Sequence, residues 1–247
     1  TESFSRHLIG VPVVHEVAAG IAAEYFNEIS EPGSRALALV TTGPGLANIV
    51  TAISGAWLES RELLVIGGQV KVPDLASDGL RGRGIQEING VELVRSTTKT
   101  AVQLLAPIEA KNFFDIVSLS WLPRKGPVFL EVPLDVQGVA VDQESIQTKI
   151  FPILPLASQI DLNQVVARYN LAKKPVVLVG GGVSYQVSQC LQKRLAELSI
   201  PVMTTYNGAD RAGRANLCCA EGRRFGSHCA AVRRGSARRA TLEPRCC

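Results

Sequence analysis

The chain has 247 residues, of which 46% are hydrophobic and 19% charged, so its composition excludes a disordered chain and favours a globular protein. No run approaches the roughly 18 consecutive apolar residues of a membrane span, and no signal-peptide pattern opens the sequence. A cytoplasmic enzyme or binding domain, with no membrane partner, is therefore expected. The net charge of +4 comes from residues 212–247, which hold eight Arg and two Glu, because residues 1–211 carry a net −2.

Strand-like and helix-like segments alternate along residues 1–140. The pattern predicts strands at 11–15, 35–42, 63–67 and 127–132, and helices at 16–29, about 48–60, 85–94 and 107–122. Residues 71–84, rich in Gly, Arg and Asp, are predicted to form a loop. Short strands separated by helices indicate an α/β fold with a parallel sheet flanked by helices.

A second α/β unit is predicted after a proline-containing stretch. Residues 141–160 lose the alternation and are interpreted as a linker. The pattern then restarts with a helix at about 161–173, a strand at 175–179, a helix at 184–198 and a strand at 200–204. Residues 161–211 therefore form the expected start of a Rossmann-like domain, and no periodicity follows Arg211.

Turns where strands meet helices carry the candidate site residues. Glu16 opens the first helix, a position where a carboxylate can also simply complement the helix dipole. The turn at 41–48 (TTGPGLAN) allows close approach of backbone to a ligand, although it matches neither a Walker A motif nor G-x-G-x-x-G. The three glycines at 180–182 resemble a nucleotide-binding turn with incomplete spacing, which leaves a nucleotide-binding oxidoreductase as one alternative.

Seven segments follow one another in a specific order. They are HEVAAGIAAE (15–24), LVTTGPGLANIVTAISGAW (39–57), LLVIGGQV (63–70), GIQEINGVEL (84–93), TTKTAVQL (97–104), GPVFLEVPLDV (126–136) and KPVVLVGGGV (174–183). In this combination the chain resembles the thiamine diphosphate-dependent enzymes of the acetolactate synthase-like group. The resemblance implies a pyrimidine-binding domain over 1–140, with its start truncated, and part of the family's central domain over 161–211.

The resemblance implies roles for individual residues. Glu16 matches the family's catalytic glutamate, whose carboxyl hydrogen-bonds N1′ of the cofactor's aminopyrimidine ring, and we expect it to be buried with a raised pKa. Gln86 matches a catalytic position near cofactor and substrate. Pro44, Gly45 and Asn48 match positions that line the ring, and Arg124 matches a position that contacts FAD in the flavin-bearing members.

The implied activity is carboligation or decarboxylation of a pyruvate-like 2-keto acid, by a homodimer or homotetramer of the full-length form. Acetolactate synthases commonly have Lys where this chain has Leu134 and Phe where it has Ile85, so an acceptor other than that of acetolactate synthesis fits as well. The family's Mg²⁺ site follows a GDG motif in a diphosphate-binding domain, and GDG does not occur here. The 247-residue product is therefore expected to be an inactive fragment without metal ligands, and a non-catalytic dimerisation module is the other alternative.

Residues 212–247 allow three interpretations. A zinc site is not favoured, because the cysteines form the adjacent pairs Cys218-Cys219 and Cys246-Cys247 instead of Cys-x-x-Cys. A basic arm that binds nucleic acid would use the arginines, but nucleic acid is not the expected partner. A frameshift is the preferred interpretation, since an abrupt stretch rich in Arg, Ala and Cys is typical of GC-rich DNA read out of frame.

Overall fold

The computed structural model describes residues 8–30, 33–76, 79–122, 124–140, 161–198 and 201–211. The chain divides into two compact units, with the boundary between Leu154 and Pro155. The linker predicted at 141–160 and the tail at 212–247 lie outside the described residues and stay predictions.

The first unit is built on a four-stranded parallel sheet. Its strands are β1 (Ala38–Val40), β2 (Leu63–Gln69), β3 (Thr100–Gln103) and β4 (Pro127–Pro133), and they lie in the order β1-β2-β4-β3. Gly67 of β2 and Gln103 of β3 lie beside Glu131 of the central strand β4. Nearly all of β4 is buried, as expected for a parallel strand covered on both faces. The predicted α/β fold with a parallel sheet is confirmed.

Helices cover both faces of this sheet. They are α1 (Glu16–Ile29), α2 (Pro44–Glu59), α3 (Gly90–Val94), α4 (Ala110–Ser118) and α5 (Leu134–Gln137), with 3-10 turns at Val72–Asp74 and Arg95–Thr97. Phe129 of β4 packs with Ile49 and Ile53 of α2 in one buried cluster. Its neighbours Val128 and Leu130 pack with α4 in another cluster, because successive side chains of a strand point to opposite faces.

The second unit contains a parallel pair of strands. Its elements are α6 (Leu162–Leu171), β5 (Val177–Val179), α7 (Tyr185–Leu198) and β6 (Val202–Thr204), followed by a 3-10 turn at Tyr206–Arg211. Strands β5 and β6 pair in parallel, and Val179, Leu195 and Val202 form a buried cluster. The alternation predicted for this part of the chain is confirmed. None of the helices in the described ranges has both the length and the apolar character needed to cross a membrane.

Two predicted elements are wrong. Residues 11–15 form no strand, and Val14 is fully exposed in this stretch. The helix predicted over 85–94 is confined to α3, because Gln86 has a φ of +58°, which lies outside the helical region. Asn89 caps the start of α3, since its side chain accepts a hydrogen bond from the N–H of Glu92 at 3.0 Å.

The helix predicted over 107–122 is shorter and spans only Ala110–Ser118. Strand β3 and the start of α2 also differ from the prediction. Strand β3 was not expected from the pattern, because it is short and its four residues are all only half-buried at one edge of the sheet. Helix α2 begins at Pro44, earlier than the predicted position near Asn48. Proline is favoured at the first helical position because its missing N–H would have had no partner inside the helix.

Candidate active site

Most of the predicted site residues meet at the carboxyl edge of the sheet. Helix α2 begins directly after β1, so Pro44, Gly45 and Asn48 lie in its first turns at this edge. Helix α1 presents Glu16 there, and the loop after β2 brings Gln86 to the same turn. In parallel α/β sheets, ligand sites form in the crevice beyond the carboxyl ends of the strands.

Glu16 forms the centre of this group. Nδ2 of Asn48 donates a hydrogen bond to Oε2 of Glu16 at 3.0 Å, joining α1 to α2. The backbone before Glu16 is held by His15, whose Nδ1 accepts from the N–H of Val17 at 3.2 Å. This local cap fixes where α1 starts and therefore where its first carboxylate lies.

In the chain alone, Glu16 is only half-buried and its pKa is lowered, so the expected burial and raised pKa are wrong for this state. Its hydrogen bond with Asn48 lowers the pKa of the Glu16 carboxyl below the ordinary value, with a further contribution from backbone N–H. The carboxyl lies half-buried at the open edge of the sheet, so the pKa increase caused by burial is the smaller effect.

The backbone of the β1–α2 turn forms a cradle beside Glu16. A Cβ atom on Gly45 would lie 3.4 Å from Oε1 of Glu16 and 3.0 Å from Oγ1 of Thr41. Gly43 has a φ of +67°, and a Cβ there would lie 2.5 Å from the carbonyl oxygen of Gln86. Only glycine permits both this conformation and this close approach.

Gln86 lies across this turn in a left-handed conformation. Its φ is +58°, which is rare for a residue other than glycine, and its side chain is exposed. Oγ1 of Thr42 lies 3.5 Å from the carbonyl oxygen of Gln86. The neighbouring Ile85 is 88% exposed, so an apolar side chain also borders the site.

Arg124 lies apart from the other predicted residues. It precedes β4 and is therefore at the amino edge of the sheet, opposite Glu16. Its Nε donates to Oγ of Ser60 at 3.1 Å, and its guanidinium lies 5.4 Å from the centre of the Trp57 ring. The structure thus separates the predicted flavin contact from the Glu16 group.

Sequence reasoning missed Gln69 and Glu131, two polar side chains buried beneath the site. Glu131 is fully buried in β4, and Gln69 is 4% exposed at the end of β2. The available signal was a charged residue inside an otherwise apolar strand, VFLEV. A buried charge of this kind requires hydrogen-bonding partners and so indicates an organised polar network.

Comparisons with known proteins connect this geometry with a family. Residues 2–93 match the model of the thiamine pyrophosphate enzyme, N-terminal TPP binding domain. The chain is 30% identical over 213 residues to a probable acetolactate synthase large subunit from Methanocaldococcus jannaschii, covering 83% of this chain and 35% of that protein. It is 34% identical over 219 residues to a mitochondrial acetolactate synthase catalytic subunit from Aspergillus candidus, covering 83% of this chain and 30% of that protein. These matches support an acetolactate synthase-like fragment of the thiamine diphosphate-dependent enzymes.

The match extends to a bacterial relative. The acetolactate synthase large subunit of Lactococcus lactis is 30% identical over 199 residues, covering 78% of this chain and 33% of that protein. The chain spans about a third of the length of the curated relatives it matches. The family resemblance inferred from the motifs is confirmed, whereas the roles of individual site residues stay predictions.

The two alternative functions are not favoured by these matches. In the second unit, a Cβ atom on Gly181 would lie 2.7 Å from the carbonyl oxygen of Asn207. This glycine is therefore needed for the chain's own packing, which explains it without a nucleotide. The described residues also contain no group of three or more His, Cys, Asp or Glu side chains that could hold a metal ion.

Proposed function

We propose that this chain holds the aminopyrimidine half of a thiamine diphosphate site, with Glu16 as the carboxyl that handles the proton. The contact between Glu16 and Asn48 at 3.0 Å, beside the bare backbone of Gly45, is the observation that carries the proposal. Thiamine diphosphate supplies an electron sink for carbanion chemistry at the carbonyl carbon of a 2-keto acid.

Each residue of the group has a distinct part. Asn48 fixes the orientation of the Glu16 carboxylate through Oε2, so Oε1 is the oxygen proposed to meet a ring nitrogen. The Glu16 carboxyl would lose contact with water beneath a bound ring, and its pKa would then rise toward the range useful for proton transfer. Gly45 keeps the space between Thr41 and the Glu16 carboxyl free of a side chain, and the exposed amide of Gln86 offers both a donor and an acceptor to cofactor or substrate.

The substrate and assembly are proposed from the family resemblance. We propose a pyruvate-like 2-keto acid as donor, in carboligation or decarboxylation, within a cytoplasmic homodimer or homotetramer. Ile85 is 88% and Leu134 58% exposed, so both remain accessible to an acceptor or a partner domain. We place Mg²⁺ on a diphosphate-binding part outside the described residues, and we place any FAD contact at Arg124.

Complementation tests this proposal. The purified chain is mixed with the part of the Methanocaldococcus jannaschii relative that lies outside the matched region, together with thiamine diphosphate, Mg²⁺ and pyruvate. Consumption of pyruvate and formation of acetolactate or acetaldehyde are measured for the natural chain, E16Q and E28Q. Glu28 lies in the same helix and pairs with Lys125 at 3.3 Å, so E28Q is a matched carboxyl-to-amide control.

The proposal expects turnover with the natural chain and with E28Q, and a loss of at least about 100-fold with E16Q. Turnover of E16Q within a few-fold of the natural chain contradicts the role of Glu16. Calorimetric titration of the chain alone with thiamine diphosphate and Mg²⁺ is expected to reveal only weak binding. Tight stoichiometric binding would contradict the division of the site between two parts.

A further inference from the structure

A buried polar network lies beneath the segment that carries Gln86. Nε2 of Gln103 donates to Oε2 of Glu131 at 2.6 Å, and Nε2 of Gln69 donates to Oε1 of Glu131 at 3.1 Å. The backbone N–H of Gly90 is a third donor to this carboxylate. Burial raises the pKa of Glu131, while the three donors oppose that increase because they favour the charged form.

The network holds the 86–90 segment at several points. Besides its bond to Glu131, Nε2 of Gln69 donates to the carbonyl oxygen of Ile88 at 2.8 Å. Oε1 of Gln69 accepts from Oγ1 of Thr42 at 3.0 Å, and the same hydroxyl lies 3.5 Å from the carbonyl oxygen of Gln86. One connected set of side chains therefore reaches from the centre of the sheet to the backbone of Gln86.

The other side of Gln86 is also held. The carboxylate of Glu87 accepts from the backbone N–H groups of Ala76, Arg83 and Gly84 at 2.6, 2.6 and 2.9 Å. Gln86 thus has its left-handed conformation between two anchored stretches. A strained residue of this kind persists only where its surroundings impose the conformation, and such residues cluster at functional sites.

We propose that Glu131 and Gln69 are positioning residues, which hold Gln86 in its left-handed conformation and thereby set where its side chain meets cofactor and substrate. The functional part of this inference rests on the proposed function, whereas the positioning is a property of the chain itself. A carboxylate suits position 131 because it accepts hydrogen bonds at both oxygens. With Gln at position 131, an NH2 group replaces one of the two oxygens. This NH2 donor then faces the NH2 donor of Gln103 or of Gln69.

Hydrogen exchange of the purified full chain, measured by mass spectrometry, tests the positioning. We expect E131Q to raise the exchange rates of amides in residues 84–90 at least about tenfold, with little change in the buried part of α2. The double variant Q103E/E131Q exchanges the two partners and restores an acceptor opposite a donor, so exchange should return to within about threefold of the natural chain. These expectations follow from local opening of the segment.

A second variant keeps the test decisive if E131Q does not fold. T42V replaces the hydroxyl that donates to Gln69 and lies 3.5 Å from the Gln86 carbonyl with an isosteric methyl group, and it should raise exchange of residues 84–90 several-fold. T97V is the matched control, because the Thr97 hydroxyl bonds to the carbonyl oxygen of Val94, outside the network. T97V should leave the segment unchanged.

The possible results separate the two proposals. Exchange within twofold of the natural chain in both T42V and E131Q overturns the positioning role, as does an equal rise throughout the first unit. Failure of the double variant to restore protection also overturns it. In the complementation assay, E131Q and T42V should lower kcat, with the double variant restoring it. If the exchange results hold while E16Q keeps full turnover, the proposed function fails and the positioning of Gln86 stands.

Discussion

Glu24 provides a direct test of the energetics of the first unit. Its side chain lies in α1, is 6% exposed, and its Oε2 has no hydrogen-bond partner among the described residues. The nearby Arg61 pairs instead with Glu59 at 2.5 Å. Burial is the main cause that raises the pKa of Glu24 to about 7, Arg61 opposes this effect and Glu59 adds to it.

The sign of the pH dependence follows from this shift. The folded-state pKa is about 7 and the ordinary value is 4.5, so the folded state binds more protons than the unfolded state between these pH values. The free energy of unfolding therefore falls as pH rises through this window and levels off above it. The full shift corresponds to about 3 kcal/mol, of which about 2.5 kcal/mol is lost between pH 5 and pH 8.

The variant E24Q removes this ionisation and should become more stable relative to the natural chain as pH increases. Urea unfolding is followed by tryptophan fluorescence at pH 5 and pH 8, since Trp57 and Trp121, the two tryptophans, both lie in the first unit. E28Q, in the same helix, is the charge-matched control. The advantage of E24Q over the natural chain should increase by about 2.5 kcal/mol between the two pH values. The increase measured for E28Q is subtracted from that of E24Q. A remaining increase of less than about 0.5 kcal/mol would refute the reasoning that burial governs the pKa of the Glu24 carboxyl.

Two other predictions concern the site and its support. A Cβ atom on Gly90 would overlap Oε1 of the buried Glu131, so G90A should lower the free energy of unfolding by about 2 kcal/mol in urea titrations. Gly55 lies within α2 and faces open space, so G55A should raise the free energy of unfolding by about 0.5–1 kcal/mol. Equal effects of the two substitutions would count against the packing argument. N48A removes the hydrogen bond that is the main cause of the lowered pKa of Glu16, so the Glu16 pKa should be higher in N48A than in the natural chain. The pKa is measured by NMR titration, and the Glu16 signal is identified by its absence in E16Q. An unchanged or lower pKa would contradict the role of Asn48.

The sequence by itself determined the fold class and the elements with strong periodicity. Helix α1 has the predicted bounds, Glu16–Ile29, because its small and apolar residues recur at helical spacing along one side. The apolar runs of β2 and β4 were predicted for the same local reason. The order of the motifs also predicted the family. These motifs contain glycine turns and the carboxylate of Glu16, which few other residue types could replace.

Only the tertiary structure decided how the site is arranged. The pKa of Glu16 depends on a hydrogen bond from Asn48, 32 positions along the chain, and no local pattern contains that contact. The backbone of Gln86 likewise lies beside Gly43 and Thr42, and Thr42 bonds to a network that reaches β2 and β4. Periodicity reports which face of an element is buried, but it does not report which polar groups meet across the sheet. Strand order and register set these contacts, so only the folded chain shows that Glu131 lies beneath the site.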